Sequence, residues 1–464
     1  MDVTSVAVAT ADHLFPDLAL GDRRRDRRFG TVVRAVAQRP GASLPQLFPD
    51  PTQYHAVLNL FHGPGLTHEA VLTAHAAAVL DDLEARTEPV LFLHDATPLD
   101  FSGHTTLADD LGPIGNGGGR GWVAHQTLAV DPATRVVYGL VSQILHVRAE
   151  AVAGERVGER RRRASRESRL WERGVDAVGP APAGCHWVHV ADRGADGFEF
   201  LQALTDRRQR FVIRSAYNRA LGAGPSDAKA AELLHDRLTG RPPQARWPLA
   251  LPARPGVRAR TAHLAGVAEP VRLRPPTVHK GQYRPEPIAV WAIRAWEPDP
   301  PPGAEPVEWV LLTSEPADTP ADIERLVGWY ACRWLIEEFH KVQKSGLAVE
   351  RYQLQAAGAM AALVAVLSVI AVPVLNLRRA ARDPASRALP AEAVVPAAWV
   401  VALRRLQAGP ARPWTVADFV VALARRGGYL TNPARHPPGW ITLWRGWIDL
   451  HVALQLLTSS PEIT

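Results

Sequence analysis

Cysteine and lysine are scarce in this sequence. Its two cysteines, Cys185 and Cys332, can build neither a disulfide framework nor a zinc quartet, and they point to a reducing cytoplasm. Lysine occurs only at Lys229, Lys280, Lys341 and Lys344, so nearly all the positive charge is arginine. There is no internal repeat and no extended low-complexity tract, which argues against a repeat architecture. The opening segment Met1–Asp12 carries acidic residues and lacks a basic-then-apolar leader, so no signal peptide is expected. The glycines between Gly115 and Gly121 lack the Gly-Lys-Ser/Thr ending of a phosphate loop. That stretch reads as a mobile loop near a site, not as a nucleotide cradle.

What is present suffices for a large folded protein. The 464 residues suggest roughly two to four domains and a packed core. A hydrophobic content of 47% and a charged content of 22% are those of a globular chain. The net charge of +6 and pI near 9.6 suit a polyanionic partner, although many basic proteins bind no nucleic acid. Residues 1–75 read as helical and basic. Leu20-Gly-Asp-Arg-Arg-Arg-Asp-Arg-Arg28 leads into Val32, Val33 and Val36, a helix with clustered arginines. Arg23, Arg24 and Arg27 are expected to contact phosphates; a merely solvated helix is the alternative. Arg160–Arg163 form a second basic run, which most often is only solvated.

Thr319–Gly346 reads as one helix carrying a site. Thr319 can cap it, Pro320 suits its first turn, and Asp322 favours the positive helix end. At about 100° per residue Cys332, Leu335, Ile336, Phe339 and Val342 fall on one apolar side. Tyr330, Arg333, Glu337 and Lys344 fall together on the other, and Glu338 points elsewhere. A solvated charged face is the plain alternative. Lys341 and Lys344 weaken it, because lysine is otherwise so rare in this chain. The uncharged run Ala356–Leu377 that follows is long enough to cross a bilayer. It is alanine-rich, contains Gly358, Ser368, Pro373 and Asn376, and is expected to be a buried core helix, with no membrane partner.

Two apolar runs end in an aspartate. Val90–Asp95 and Trp187–Asp192 both read as buried strands that project a carboxylate from a rigid edge. For Asp95 the alternative is a turn former before Thr97-Pro98. Trp122–Val130 and Val136–Val147 read as a hairpin turning at Asp131–Thr134. Phe211–Ser215, with Arg214 at its edge, is a further strand, and Glu308–Ser314 another. Residues 216–306 hold prolines, arginines and short alternating runs that read as a β-rich insertion. Beyond Leu347 the chain reads as mostly helical. Trp440, Trp444 and Trp447 repeat there at helical spacing, a stripe that is most often packing and is expected here between subunits.

Tyr330-x2-Arg333-x3-Glu337-x6-Lys344, with its flanks, resembles the Tyr-Arg-Glu-Lys signature of bacterial cut-and-paste DDE transposases, the branch containing insertion sequence family four. Leu20-Gly-Asp-x-Arg-Arg is similar to the family's opening, and Asp192-Arg-Gly-Ala-Asp196 to its second-acid motif, with Gly194 where close relatives place glutamate. The resemblance implies an α/β, ribonuclease-H-like mixed sheet with a β-rich insertion at 216–306. Helical regions would flank it: a basic DNA-binding domain at 1–75, the catalytic domain at 76–355 and a dimerisation domain at 356–464. Pattern alone stops at a mixed α/β domain. Asp95, Asp192 and Glu337 would be catalytic and would hold two Mg²⁺ ions about 3.5–4 Å apart, Mn²⁺ being able to substitute. Arg333, Lys344 and Tyr330 would grip phosphate, and Trp309 would hold a flipped base. Arg214, His340 and Lys341 match family positions near the DNA end.

The implied partners are double-stranded DNA, as terminal inverted repeats and as target, and a second subunit in the DNA complex, in a bacterial cytoplasm at the nucleoid. A metal-dependent nuclease or resolvase on the same fold, or an inactivated DNA-binding protein, are the alternatives.

Overall fold

The computed structural model describes residues 11–116, 118–150, 154, 166–222, 232–251, 259–276, 284–433 and 438–459. Arg160–Arg163, Lys229, Lys280, Gly117 and most of Met1–Asp12 lie outside the described residues. The protein is mixed α/β, with a large mixed sheet and helical N- and C-terminal regions, consistent with a ribonuclease-H-like fold. Two compact units interleave along the chain. The first gathers Met1–Glu84, Ala96–Ala153 and Ile336–Thr464, the second Ala85–Asp95 and Gly154–Leu335. Strand β1 (Val90–Asp100) carries the chain from the second to the first.

In the first unit β2 (Gly112–Ile114), β3 (Gly119–Val130) and β4 (Val137–His146) form an antiparallel meander. The expected turn between β3 and β4 is held by Asp131, whose carboxylate accepts the Ala133 N–H at 2.8 Å. Helices Arg23–Gln38, Pro51–His62 and His68–Glu84 make up most of the N-terminal region, and the last runs through position 75. The uncharged run forms the helix Ala357–Ala380, buried on nearly every side against His68–Glu84 and β4. By length and composition it could cross a membrane. Its polar residues find partners in the unit's interior. Asn376 Nδ2 donates to the Val137 carbonyl at 2.8 Å and Asn376 Oδ1 accepts the Val137 N–H at 3.1 Å. Ser368 Oγ accepts from Gln143 at 2.8 Å and from Gln343 at 2.6 Å. A buried amide or hydroxyl is tolerated when it is satisfied in this way.

In the second unit β1 is followed by β5 (Trp187–Ala191), β6 (Arg210–Arg214), β7 (Ala245–Leu251), β8 (Arg260–Leu273), β9 (Ile288–Trp296) and β10 (Glu308–Thr313). Their order in space is β1-β5-β6-β10-β9-β8-β7. The first three are parallel, and β10, β9, β8 and β7 continue antiparallel. The β-rich insertion is therefore not a separate layer. It extends the sheet, because β9 pairs with β10 along its length. One face of this sheet packs on the helix Phe198–Asp206 through Phe200, Leu201 and Leu204, the other on Pro320–Ala331.

The single helix expected over Thr319–Gly346 is broken. Pro320–Ala331 starts as expected, with Thr319 and Asp322 forming a capping box. It ends at Cys332, whose N–H turns back to the Trp329 carbonyl at 3.1 Å. The Gly328 carbonyl, the partner that N–H would have in a regular helix, is taken by Cys332 Sγ at 3.5 Å. A new helix, Trp334–Lys341, then passes into a π-helical turn, Val342–Gly346, closed by the Leu347 N–H on the Val342 carbonyl.

Candidate active-site acids and DNA-binding segment

The parallel pairing of β1 and β5 sets the geometry of two acids. Val90 to His94 lie opposite Trp187 to Ala191 in unbroken register. One residue further along each chain stand Asp95 and Asp192, both half-buried. Equal positions on neighbouring parallel strands face the same way, about 4.8 Å apart. Two acids on neighbouring strands call for a cation nearby. Arg333 supplies one: its Nη1 lies 3.3 Å from Asp95 Oδ2, with the guanidinium also against the Trp334 ring. Asp192 caps the short turn Arg193–Ala195, its Oδ1 accepting the Gly194 N–H at 2.8 Å. A Cβ on Gly194 would stand 3.0 Å from that oxygen and from the Trp171 ring, so the glycine matches the local space.

Behind the acids, His94 and His189 are fully buried. His189 Nε2 faces Gln209 Oε1 at 3.3 Å, and an oxygen there can only accept, so Nε2 carries the proton. His189 Nδ1 is then the acceptor for His94 Nε2–H at 2.9 Å. Burial pushes the His189 pKa down to about 4, in keeping with a neutral ring. The sequence reading missed this pair, although both histidines stand at inward-facing positions of its two acid-bearing strands.

Trp309 and Tyr330 correct an expectation. Both are buried, at 7% and 3% exposure, and pack edge to face with ring centroids 5.0 Å apart. Tyr330 therefore does not lie on an open face. Arg214, at the end of β6, donates to the Glu308 carbonyl at 3.2 Å.

The other candidates belong to the first unit. Glu337 is half-buried in the first turn of Trp334–Lys341, while Glu338 is engaged by Arg378 at 2.7 Å, so the two neighbours have different surroundings. His340 is buried and Lys341 exposed. Lys344 leaves the π-turn to lie 3.5 Å from Glu350, which accepts the Asp100 N–H at 2.9 Å. The Asp100 carboxyl is held below the usual carboxylate range, first by the Ser102 hydroxyl and N–H and further by Lys344. Asp95 and Asp192 thus sit in one unit and Glu337 in the other. Among the described residues no three His, Cys, Asp or Glu side chains stand together as a metal-binding group. The oxygen-only donor set of Asp95 and Asp192 is the chemistry Mg²⁺ prefers.

On the N-terminal helix the alternation of burial is regular. Phe29, Val32, Val33 and Val36 are buried, while Arg23, Arg24, Arg27 and Arg34 are exposed and make no ion pair with any described residue. Asp22 caps the helix and Asp26 turns inward to accept the Leu20 N–H at 2.8 Å. The exposed surface is left cationic, and Arg23, Arg27 and Arg34 fall within about 40° of one another around the axis. Comparison with protein families finds a match over residues 8–64 to a model described as "Transposase DNA-binding". That match supports DNA as the partner of this helical segment and a transposase as the kind of protein that carries it.

Proposed function

We propose that the chain is a cut-and-paste DNA transposase of the DDE type, in the Tyr-Arg-Glu-Lys branch. In this reading Arg23, Arg24 and Arg27 hold transposon-end DNA by its phosphates. Asp95, Asp192 and Glu337 form the catalytic centre that hydrolyses a phosphodiester and then joins the freed 3′ end to target DNA. The observation that carries the reading is the pair Asp95 and Asp192, each one residue past the registered pairing of β1 with β5, in a chain whose N-terminal residues match a transposase DNA-binding family.

The three acids would hold two Mg²⁺ ions, which supply activation of the attacking oxygen and stabilisation of the leaving one. The chain's own groups prepare the site. Arg333 keeps the Asp95 carboxylate oriented and its charge offset, and the Gly194 N–H fixes one oxygen of Asp192. Lys344, with Arg333, is suited to take a phosphate as DNA arrives, exchanging Glu350 for it. Members of such a branch act as dimers at the bacterial nucleoid, and the same assembly is proposed here.

A plain metal-dependent nuclease of the same fold is the second reading. The burial of Trp309 favours it over hairpin formation, since a nuclease has no use for a base-stacking tryptophan. One experiment separates them: DNA ending in the element's inverted repeats, with Mg²⁺ and a supercoiled target. A transposase yields hairpins and joined product, a nuclease only cut strands. Retention of cleavage by Asp95→Ala or Glu337→Ala would refute the catalytic assignment itself.

A further inference from the structure

The segment that follows Asp192 is fastened to the loop leaving β6 by one buried carboxylate. Asp196 is 1% exposed. Its Oδ2 accepts the Ala216 N–H at 2.7 Å, and the Tyr217 N–H and Ser215 hydroxyl, each at 3.2 Å. Its Oδ1 takes Arg219 Nη2 at 2.7 Å, and the same nitrogen donates to the Asp196 carbonyl at 2.5 Å. A carboxylate so fully satisfied and paired in the interior holds its partners in one geometry, because losing any of them leaves a buried charge uncompensated. The loop Ser215–Arg219 is therefore tied directly to the turn that carries the second acid.

That loop presents an aromatic ring to solvent. Tyr217 is 60% exposed, though its backbone is pinned, and the Arg219 guanidinium lies 5.3 Å from the ring centroid. With the backbone held, only side-chain freedom is lost when a flat partner settles on the ring. Beside Asp192, Arg193 is exposed and has no ion pair among the described residues. Arg193 opens the short turn Arg193–Ala195 that runs from Asp192 to Asp196, and its carbonyl accepts the Asp196 N–H at 3.2 Å.

We propose that Tyr217 is a stacking platform for one unpaired DNA base next to the second acid, with Arg193 taking the adjoining phosphate. The proposal rests on the DNA-cutting reading above and gives that site a base contact which the buried Trp309 does not offer. Ring stacking tolerates any base, and a cation beside it tracks the backbone, the usual pairing at single-stranded sites. Unpaired strands arise wherever a duplex end is opened for cutting.

The test uses full-length protein in EDTA, so that no strand is cut, and duplex DNA with a single-stranded overhang containing 2-aminopurine. Wild-type protein should quench the probe. Tyr217→Ala should abolish the quench and weaken binding of overhang DNA on the order of tenfold, while leaving blunt-duplex affinity unchanged. Tyr217→Phe should retain both, and Arg193→Ala should weaken overhang binding with a shallower salt dependence. If Tyr217→Ala quenches like wild type while duplex is still bound, the platform is wrong and the DNA-cutting reading stands. If wild-type protein binds neither DNA, both fall.

Discussion

Acid should loosen the attachment of the DNA-binding segment through one histidine. His75, on the helix His68–Glu84, is 1% exposed. Its Nδ1–H donates to the Leu14 carbonyl at 2.8 Å, and its Nε2 accepts the Leu140 N–H at 3.3 Å. Both ring nitrogens are committed to the neutral form, and burial pushes the pKa from 6.5 down to about 4. The folded state therefore binds this proton less readily than the unfolded chain. Stability is intact above the unfolded pKa and falls as pH drops from about 6.5 toward 4. With those two values, linkage gives a loss of about 0.2 kcal/mol at pH 7 and about 2 kcal/mol at pH 5. His189, with the same direction and a pKa near 4, should add a similar amount from the other unit. The assay is urea unfolding at pH 7 and pH 5 for wild type and His75→Gln. The variant will be less stable at pH 7, since glutamine reproduces one hydrogen bond poorly. Its further loss between the two pH values should be smaller than wild type's by about 2 kcal/mol. An unchanged difference between pH 7 and pH 5 would refute the argument that His75 is buried neutral and joins Leu14 to β4.

Three further outcomes are expected. Trp309→Ala should cost about 3–5 kcal/mol in urea unfolding, whereas Trp309→Phe, which keeps an edge-on partner for Tyr330, should cost far less; a stable Trp309→Ala protein would show that packing is not its role. Gly446→Ala should sharply lower the melting temperature, because the added Cβ would lie 1.8 Å from the Leu423 carbonyl where two C-terminal helices meet, with Gly427 placed likewise against Thr442. Replacing Arg23, Arg24 and Arg27 by alanine should flatten the dependence of DNA affinity on log salt by about 0.9 per residue that truly meets a phosphate; an unchanged slope would assign the contacts elsewhere.

The strands that deliver Asp95 and Asp192 were legible because a parallel strand covered on both faces must be apolar throughout, as Val90–Leu93 is; that β1 runs on past Asp95 to Asp100 was not. The arginine face of the N-terminal helix was legible for the complementary reason: Val32, Val33 and Val36 mark the buried side, and three-residue spacing does the rest. The helix break at Cys332 was not. There the Cys332 N–H bonds the Trp329 carbonyl and its thiol meets the Gly328 carbonyl, and neither proline nor glycine marks the position where it occurs. Tyr330, expected on a polar side with Arg333, belongs to the core against Trp309, because spacing along a helix does not say which side the rest of the unit covers. In the tryptophan stripe only part could be read. Trp447 packs on Trp399 at 5.4 Å and Arg378 lies over Trp440, so these rings have partners within the unit.

Asp196 shows where the limit lies. From sequence it is a second acid four residues after a first, with nothing to say that it is buried and the other half-exposed. Its partners, Ser215 to Arg219, come from the next strand's far end, and only pairing of β5 with β6 in parallel brings the two loops to the same edge of the sheet. Ser368 and Asn376 follow the same logic in the first unit, where isolated polar residues in an apolar helix are answered by Gln143, Gln343 and the backbone of Val137. A local pattern can state that a residue needs a partner; which partner it has is a property of strand order. Once β1, β5 and β6 are known to run parallel as neighbours, acids just past the paired stretch of the first two and a fastened loop after the third emerge along one edge. It is that edge, rather than the Tyr-Arg-Glu-Lys spacing by itself, that makes Tyr217 and Arg193 worth substituting alongside Asp95 and Asp192.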